Sequence, residues 1–331
     1  MLDSRISEHA AMRITFVVPG LLALPHTQLS QHPILARLAA RAAQPRVEAD
    51  LDSALLGTLG IDAAPAPLAA LGAGLDVARA WTIRADPVSM IVGREDAHIE
   101  QAVFDLDDSE RHALLATMNA HFAADGLAFA APRTDAWFAT LAVPSLVATS
   151  PLEAASGRAL RAFLPSGADA ARWRRWLTEA QMLLHEHALA QRAGAPVNSL
   201  WFHGGGTLPA RESMPGIAVH AHGGRAADVV RGIAVLRGEA AGPVDSIDAV
   251  LRQRVDAIVA LAPLTSDEAL EAMANRWLAP ALDRLDASAL SSIGLIAGSA
   301  RLAASWEARP HGWFARWKQR HVRFSVPERG S

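Results

Sequence analysis

Apolar and polar positions along the chain fall into blocks that assign most of it to strands or helices. Residues 13–20 (RITFVVPG) are a short apolar run closed by Pro-Gly, the pattern of a buried strand. Helical periodicity follows at 30–43, with Pro33 in the first turn, and at 50–59. Residues 61–74 (IDAAPAPLAALGAG) are punctuated by Pro and Gly and read as a loop with at most one helical turn. Residues 81–92 are extended and expected to break at Pro87, and 99–106 alternate weakly enough to pair with them. Asp107-Asp108-Ser109-Glu110 caps a helix running to Ala124, which Asp125-Gly126 stops. Two more strands are expected at 127–131 and 136–143, so 81–143 reads β-β-α-β-β.

Beyond it, Ser150-Pro151-Leu152-Glu153 combines an N-cap, a proline at the first helical position and a glutamate. The longest helical signal, 169–193, ends at Gly194 and Pro196. Strands at 197–202, 216–222, 255–263, 289–297 and 301–306 alternate with helices at 226–236, 245–254 and 266–286, the last interrupted at Pro280. A short helix at 313–321 closes the chain. The pattern predicts an α/β fold: a mixed sheet flanked by helices, with an α+β section in the N-terminal half. The expected parts are a flexible extension at 1–12, an α+β part at 13–148 and an α/β part at 149–331, or the last two as one continuous domain.

Composition narrows the chemistry. A chain of 331 residues with 51% hydrophobic and 20% charged positions can bury a large core without staples. The formal net charge of −3 gives no overall pull toward nucleic acid or anionic lipid. There is no cysteine, so disulfides, thiolate metal sites and cysteine nucleophiles are excluded, and there is no tyrosine to act as acid or base. The one lysine, Lys318, lies in an arginine-rich tail, which excludes a phosphate-binding GxxxxGK[ST] loop. No Gly-x-Ser-x-Gly elbow surrounds any serine. No apolar run reaches 18 residues and no leader pattern opens the chain, so a cytoplasmic location is expected, with either Met1 or Met12 as the start.

Candidate site residues cluster in the second half. On the 169–193 helix, Trp173, Trp176, Ala180, Leu184 and His187 form an apolar face, and Arg174, Thr178, Gln181 and His185 form a polar stripe that could line a cleft or be a solvated edge. In residues 196–209 (PVNSLWFHGGGTLP) a strand runs into Gly204, Gly205 and Gly206, whose amides could bind an anion with Asn198 across the turn; a tight packing turn is the alternative. His220 and His222, two apart on a strand, could join His203 and Asp228 around a divalent metal, Mn or Zn, or be unrelated surface histidines. Tryptophans and arginines in the tail (Trp306, Trp313, Trp317, Arg309, Arg316, Arg320, Arg323, Arg329) suit a docked helix better than a nucleic-acid surface.

Several segments together carry a resemblance: FVVPGLL (16–22), RADPVSM (84–90), MNAHFAADGLAF (118–129), SPLEAASGR (150–158), RWRRWLTEAQMLLHEH (172–187), PVNSLWFHGGG (196–206) and RGIAVLRG (231–238). They resemble the RpfE-type family of proteobacterial regulators of pathogenicity factors, whose members are commonly labelled cofactor-independent phosphoglycerate mutase. Thr178 stands where that family usually has Asn, and His203 where it usually has Trp. The resemblance implies distant kinship with the alkaline-phosphatase superfamily, whose chemistry needs two metal ions and a Ser or Thr nucleophile beside an Asp at the end of the first strand. Here that strand ends Val18-Pro19-Gly20-Leu21, with neither group.

The expected function is therefore regulatory binding of a small anionic or phosphorylated molecule, held by Asn198, Gly204, Gly205, Gly206, Gln181 and His185 with charge from Arg174 or Arg231. No membrane or nucleic-acid partner is expected. The alternative is a metal-dependent phosphoglycerate mutase or phosphohydrolase using His203, His220, His222 and Asp228.

Overall fold

The computed structural model describes residues 12–94, 96–310 and 322–326. The expected extension at 1–12, apart from Met12, which opens the first strand, and the closing helix at 313–321 lie outside these residues. The chain begins with β1 (Met12–Pro19), α1 (His26–Gln31), α2 (Pro33–Ala39), β2 (Arg46–Glu48), α3 (Leu51–Leu59) and α4 (Pro65–Gly72). Then come β3 (Trp81–Val92), β4 (Ala97–Ala102), α5 (Asp108–Phe122), β5 (Ala128–Arg133), β6 (Ala136–Leu141), α6 (Leu152–Ala155) and α7 (Ala170–His185). The remainder holds β7 (Ser199–Gly206), β8 (Ala218–Ala221), α8 (Arg225–Arg237), α9 (Ile247–Leu251), β9 (Ala257–Ala260), α10 (Asp267–Met273), α11 (Ala279–Asp286), β10 (Leu290–Gly298) and β11 (Ala303–Ala308).

Two sheets result. The larger runs β2-β11-β10-β1-β9-β8, and its four central and outer strands β10, β1, β9 and β8 are parallel. Their near-continuous apolar sequences, such as AIVA in β9, follow from burial on both faces. One face packs Ile14, Phe16, Val259, Leu295 and Trp277; the other packs Val17, Ile258, Ile296 and the helices α4 and α8. The smaller, antiparallel sheet runs β4-β3-β6-β5, with β7 also paired to β3. Its core is aromatic: Trp173 of α7 lies 5.4 Å from Trp81 and 5.2 Å from Phe202, ring centre to ring centre.

Both sheets draw strands from both sides of position 148: β3 pairs with β7, and β1 pairs with β9 and β10. The boundary expected at 148/149 therefore separates no sheet from another.

Three local differences have physical reasons. Residues 65–72 form a helix, α4, because Pro65 occupies its first turn and its Leu68, Ala69 and Ala70 are buried against α8. β3 runs unbroken through Pro87, because β6 pairs only as far as Arg84 and β4 only from Val88. The missing N–H falls in the gap between them, while the Pro87 carbonyl accepts from the amide of Val103. The helical run 267–286 passes Pro280 without ending, through a π-helical turn at 274–278 that supplies the slack a proline needs.

Candidate functional site

In open sheets with parallel strands, ligands enter at the carboxyl ends of the strands. At that edge Pro19 and Gly20 from β1, Pro263 beyond β9, and Gly298 and Ser299 from β10 line a cavity of about 230 Å³. Asp52, Phe104, Asp135, Glu153 and Arg225 close its other walls. Behind it lies a buried ionic cluster. Asp86, fully buried on β3, is 2.8 Å from the His203 Nε2 on the adjacent β7. Arg225, in the first turn of α8, clamps the same carboxylate with both terminal nitrogens, one at 2.7 Å from Oδ1. Arg225 also donates to the Asp135 carbonyl and lies over the Phe104 ring at 5.0 Å.

The neighbouring ions are paired in the same way. Arg84, fully buried two residues before Asp86, donates to Asp52 at 2.8 Å. Arg133 donates to Asp135 and Asp228, and Arg231 donates to Asp228 at 2.9 Å. Burial alone would raise the Asp86 pKa, but Arg225 and the His203 hydrogen bond outweigh it and hold the carboxyl well below the usual range. Arg225 is held correspondingly above the ordinary arginine value by Asp86. Glu153 moves the other way: burial raises its pKa, against the opposing pull of His203 and Arg225.

The expected site residues separate into groups. Gln181, His185 and Asn198 do line one cavity, of about 380 Å³, together with Met90 and Val92. Asn198 bridges to β3 there, since its amide accepts from the Met90 N–H and donates to the Met90 carbonyl, each at 2.8 Å. Arg174 is exposed on α7 and donates to the Pro165 carbonyl, and Arg231 is committed to Asp228. Among the described residues no arginine or lysine lines this cavity, so none of them offers an anion a guanidinium or ammonium group there. His187 lies beyond the end of α7 and caps the following turn by accepting from the Leu189 amide.

The glycine run is the end of strand β7 and meets side chains rather than open space. A Cβ on Gly205 would lie 2.4 Å from the Trp81 ring, and one on Gly206 2.5 Å from the Ala64 Cβ. Gly204 has a φ of +70° and Pro65 against it. Packing of α4 and Trp81 over the strand accounts for all three.

The four candidate metal donors are not gathered either. His203 is bound to Asp86 in the smaller sheet, and Asp228 is held between Arg133 and Arg231. His220 and His222 lie at β8, with His222 edge-on to Trp277 at 5.3 Å. Among the described residues no group of three or more His, Asp or Glu is placed to hold a metal ion. The donors therefore do not fit the Mn or Zn site that their spacing suggested, because His203 lies on β7 of the smaller sheet, His220 and His222 at β8 of the larger one, and Asp228 on α8, bound to two arginines.

No family model matches the chain, and no curated protein matches it. Among solved structures, it is similar to the cofactor-independent phosphoglycerate mutase from Thermoplasma acidophilum DSM 1728 at 15% identity, covering 95% of this chain and 93% of that one, with a TM-score of 0.44. The PH0037 protein from Pyrococcus horikoshii is similar at 15% identity, over 90% and 87% of the two chains, with a TM-score of 0.45. No helix among the described residues is long and apolar enough to cross a membrane.

Sequence reasoning passed over Asp52, Arg84, Asp86, Glu153 and Arg225. A signal for part of the cluster was present: Thr82, Arg84 and Asp86 recur at every second position in the first half of β3, so all three point to one buried face.

The histidines at β8 give a pH prediction. Burial lowers the pKa of both His220 and His222 below the free value of 6.5, and Arg276 lowers His222 further. A folded pKa below the unfolded one means that stability is present above pH 6.5 and lost as pH falls through the lowered values. Urea denaturation at pH 7.5 and pH 5.5 is expected to show a weaker fold at the lower pH. In His220→Gln/His222→Gln the loss is expected to shrink. An unchanged loss would assign it to other groups. Glu153, with a raised pKa, acts in the opposite direction, adding stability below the free glutamate value and losing it as pH rises.

Proposed function

We propose that the chain is a cytoplasmic regulatory protein of the RpfE type, which binds a small anionic or phosphorylated molecule at the carboxyl edge of its larger sheet and does not transfer phosphoryl groups. The observation that carries this reading is the pairing of carboxylates at that edge: Asp52 with Arg84, Asp86 with Arg225, and Asp135 with Arg133. Carboxylates already neutralised by guanidinium groups have no net charge left to hold two divalent cations. Arg225 is 17% exposed and lines the cavity, so its guanidinium edge can donate a hydrogen bond to a ligand oxygen while it stays paired with Asp86.

A second support comes from the end of β1. Gly20 has a φ of +79°, and a Cβ there would lie 2.3 Å from the Leu264 carbonyl oxygen. The Leu264 amide donates to the Pro19 carbonyl at 2.9 Å. Backbone thus fills the place where the resemblance would put an acid and a nucleophile.

The test is to incubate the protein with 3-phosphoglycerate and manganese, follow both phosphoglycerates by phosphorus NMR, and measure Tm in parallel with 3-phosphoglycerate and with inorganic phosphate. The expected result is a rise in Tm, reduced in Arg225→Gln, with no conversion. Manganese-dependent conversion would overturn the non-catalytic reading. The absence of any Tm shift with both probes would overturn the ligand class.

A further inference from the structure

A second cavity, of about 220 Å³, opens at the opposite, amino-terminal corner of the larger sheet. Four adjacent strands form its floor: Arg46 on β2, Ser305 and Glu307 on β11, Gly294 on β10, and Arg13 and Thr15 on β1. The register sets Gly294 between Thr15 and Glu307, and Ser305 beside Arg46. α3 roofs it with Gly57 and Thr58.

Its charges do not balance internally. Glu307 is engaged twice, by Arg13 at 3.4 Å and by Arg309 at 3.2 Å. Arg46 lines the cavity and has no ion pair or side-chain hydrogen bond among the described residues. The Thr15 side chain is a second polar group without a partner. The residue is 3% exposed, borders the cavity, and its hydroxyl makes no hydrogen bond among the described residues. That hydroxyl is open to the cavity, so a ligand seated there can hydrogen-bond to it.

Gly57 points the same way. It lies inside a helix, where glycine is worse than alanine, yet a Cβ there would meet nothing within 4 Å. No packing demand accounts for it, and its effect is to leave the cavity open.

We propose that this cavity is a binding site for a small oxyanion, a phosphate or a short carboxylate, gripped by Arg46 and hydrogen-bonded by Thr15, with Arg13, already paired with Glu307, beside it. A guanidinium group matches the paired oxygens of either anion, and about 220 Å³ equals the liquid volume of roughly seven waters, enough for one such anion and its residual hydration.

The experiment is calorimetric titration of the full chain with inorganic phosphate and, separately, with malonate, against chloride at matched ionic strength. Saturable binding of either anion is expected, and which of them binds more tightly identifies the headgroup. Arg46→Ala removes an exposed, unpaired side chain, so the fold is expected to persist while affinity falls at least about tenfold. Gly57→Leu, with circular dichroism confirming the helix content, is expected to abolish binding by filling the cavity. Binding no stronger than chloride would overturn the proposal. So would binding that both variants retain at full strength, since the anion would then lie elsewhere, such as beside Arg225.

Discussion

Asp86→Ala is expected to cost about 3–5 kcal/mol of folding stability, the range for removing one member of a buried ion cluster. The magnitude comes from what is left behind. Asp86 is fully buried, and it is the acceptor for both terminal nitrogens of Arg225 and the partner of His203 Nε2. Without it, the Arg225 guanidinium group would lose, in a cavity wall, the carboxylate that accepts from both its terminal nitrogens. Urea denaturation at pH 7 measures the loss. Arg225→Met in the Asp86→Ala background is expected to return much of it, because removing both charges leaves neither unpaired. The acid limb supplies a second readout. The folded carboxyl titrates well below its unfolded value of 3.8, so its contribution is present above that value and lost as pH falls through the folded one. The variant is expected to lose that part of the wild-type acid sensitivity. A change below about 1 kcal/mol would mean that the cluster contributes no more than an exposed ion pair does.

The contrast between what the sequence revealed and what it hid follows from the range of the interactions. β1, α3, α5, α8 and the β-β-α-β-β order of 81–143 were legible because their signals are local. Asp50 caps α3 by accepting from the Ser53 amide, and Asp107 with Glu110 makes a complete capping box at α5. The helix at 65–72 was not legible, because its prolines and glycine read as loop until α8 packs against it. The site was hidden for a related reason. Asp86, His203 and Arg225 are far apart in sequence, with 117 residues from Asp86 to His203 and 139 from Asp86 to Arg225, and only strand pairing and the α8 contact bring them together. Asn198 and the glycines drew attention through their residue types, and those types are accounted for by strand bridging and by the space that Trp81, Ala64 and Pro65 occupy. The histidines at 203, 220 and 222 looked convergent because sequence proximity does not reveal that β7 and β8 belong to different sheets.

Gly232→Ala is expected to destabilise the protein by about 3 kcal/mol, at the upper end of the usual cost of overpacking, although alanine is the better helix former by about 1 kcal/mol. α4 and α8 cross backbone to backbone. A Cβ on Gly232 would lie 1.9 Å from the Leu68 carbonyl oxygen, and a Cβ on Gly72 would lie 1.9 Å from the Asp228 carbonyl oxygen. No rotamer change relieves either contact, because both partners are main chain. The helices would have to separate, and α8 carries Arg225 at its start, so the shift would also loosen the clamp on Asp86. Gly57→Ala is the internal control: it changes the same residue type within a helix, at a position where nothing lies within 4 Å of a Cβ. There the propensity gain acts alone, and a stabilisation of about 0.5–1 kcal/mol is expected. Chemical denaturation of the two variants side by side isolates the steric contribution, since the propensity gain is common to both. Equal behaviour would show that α4 and α8 do not meet at this distance, and the placement of Arg225 against Asp86 would lose its mechanical basis.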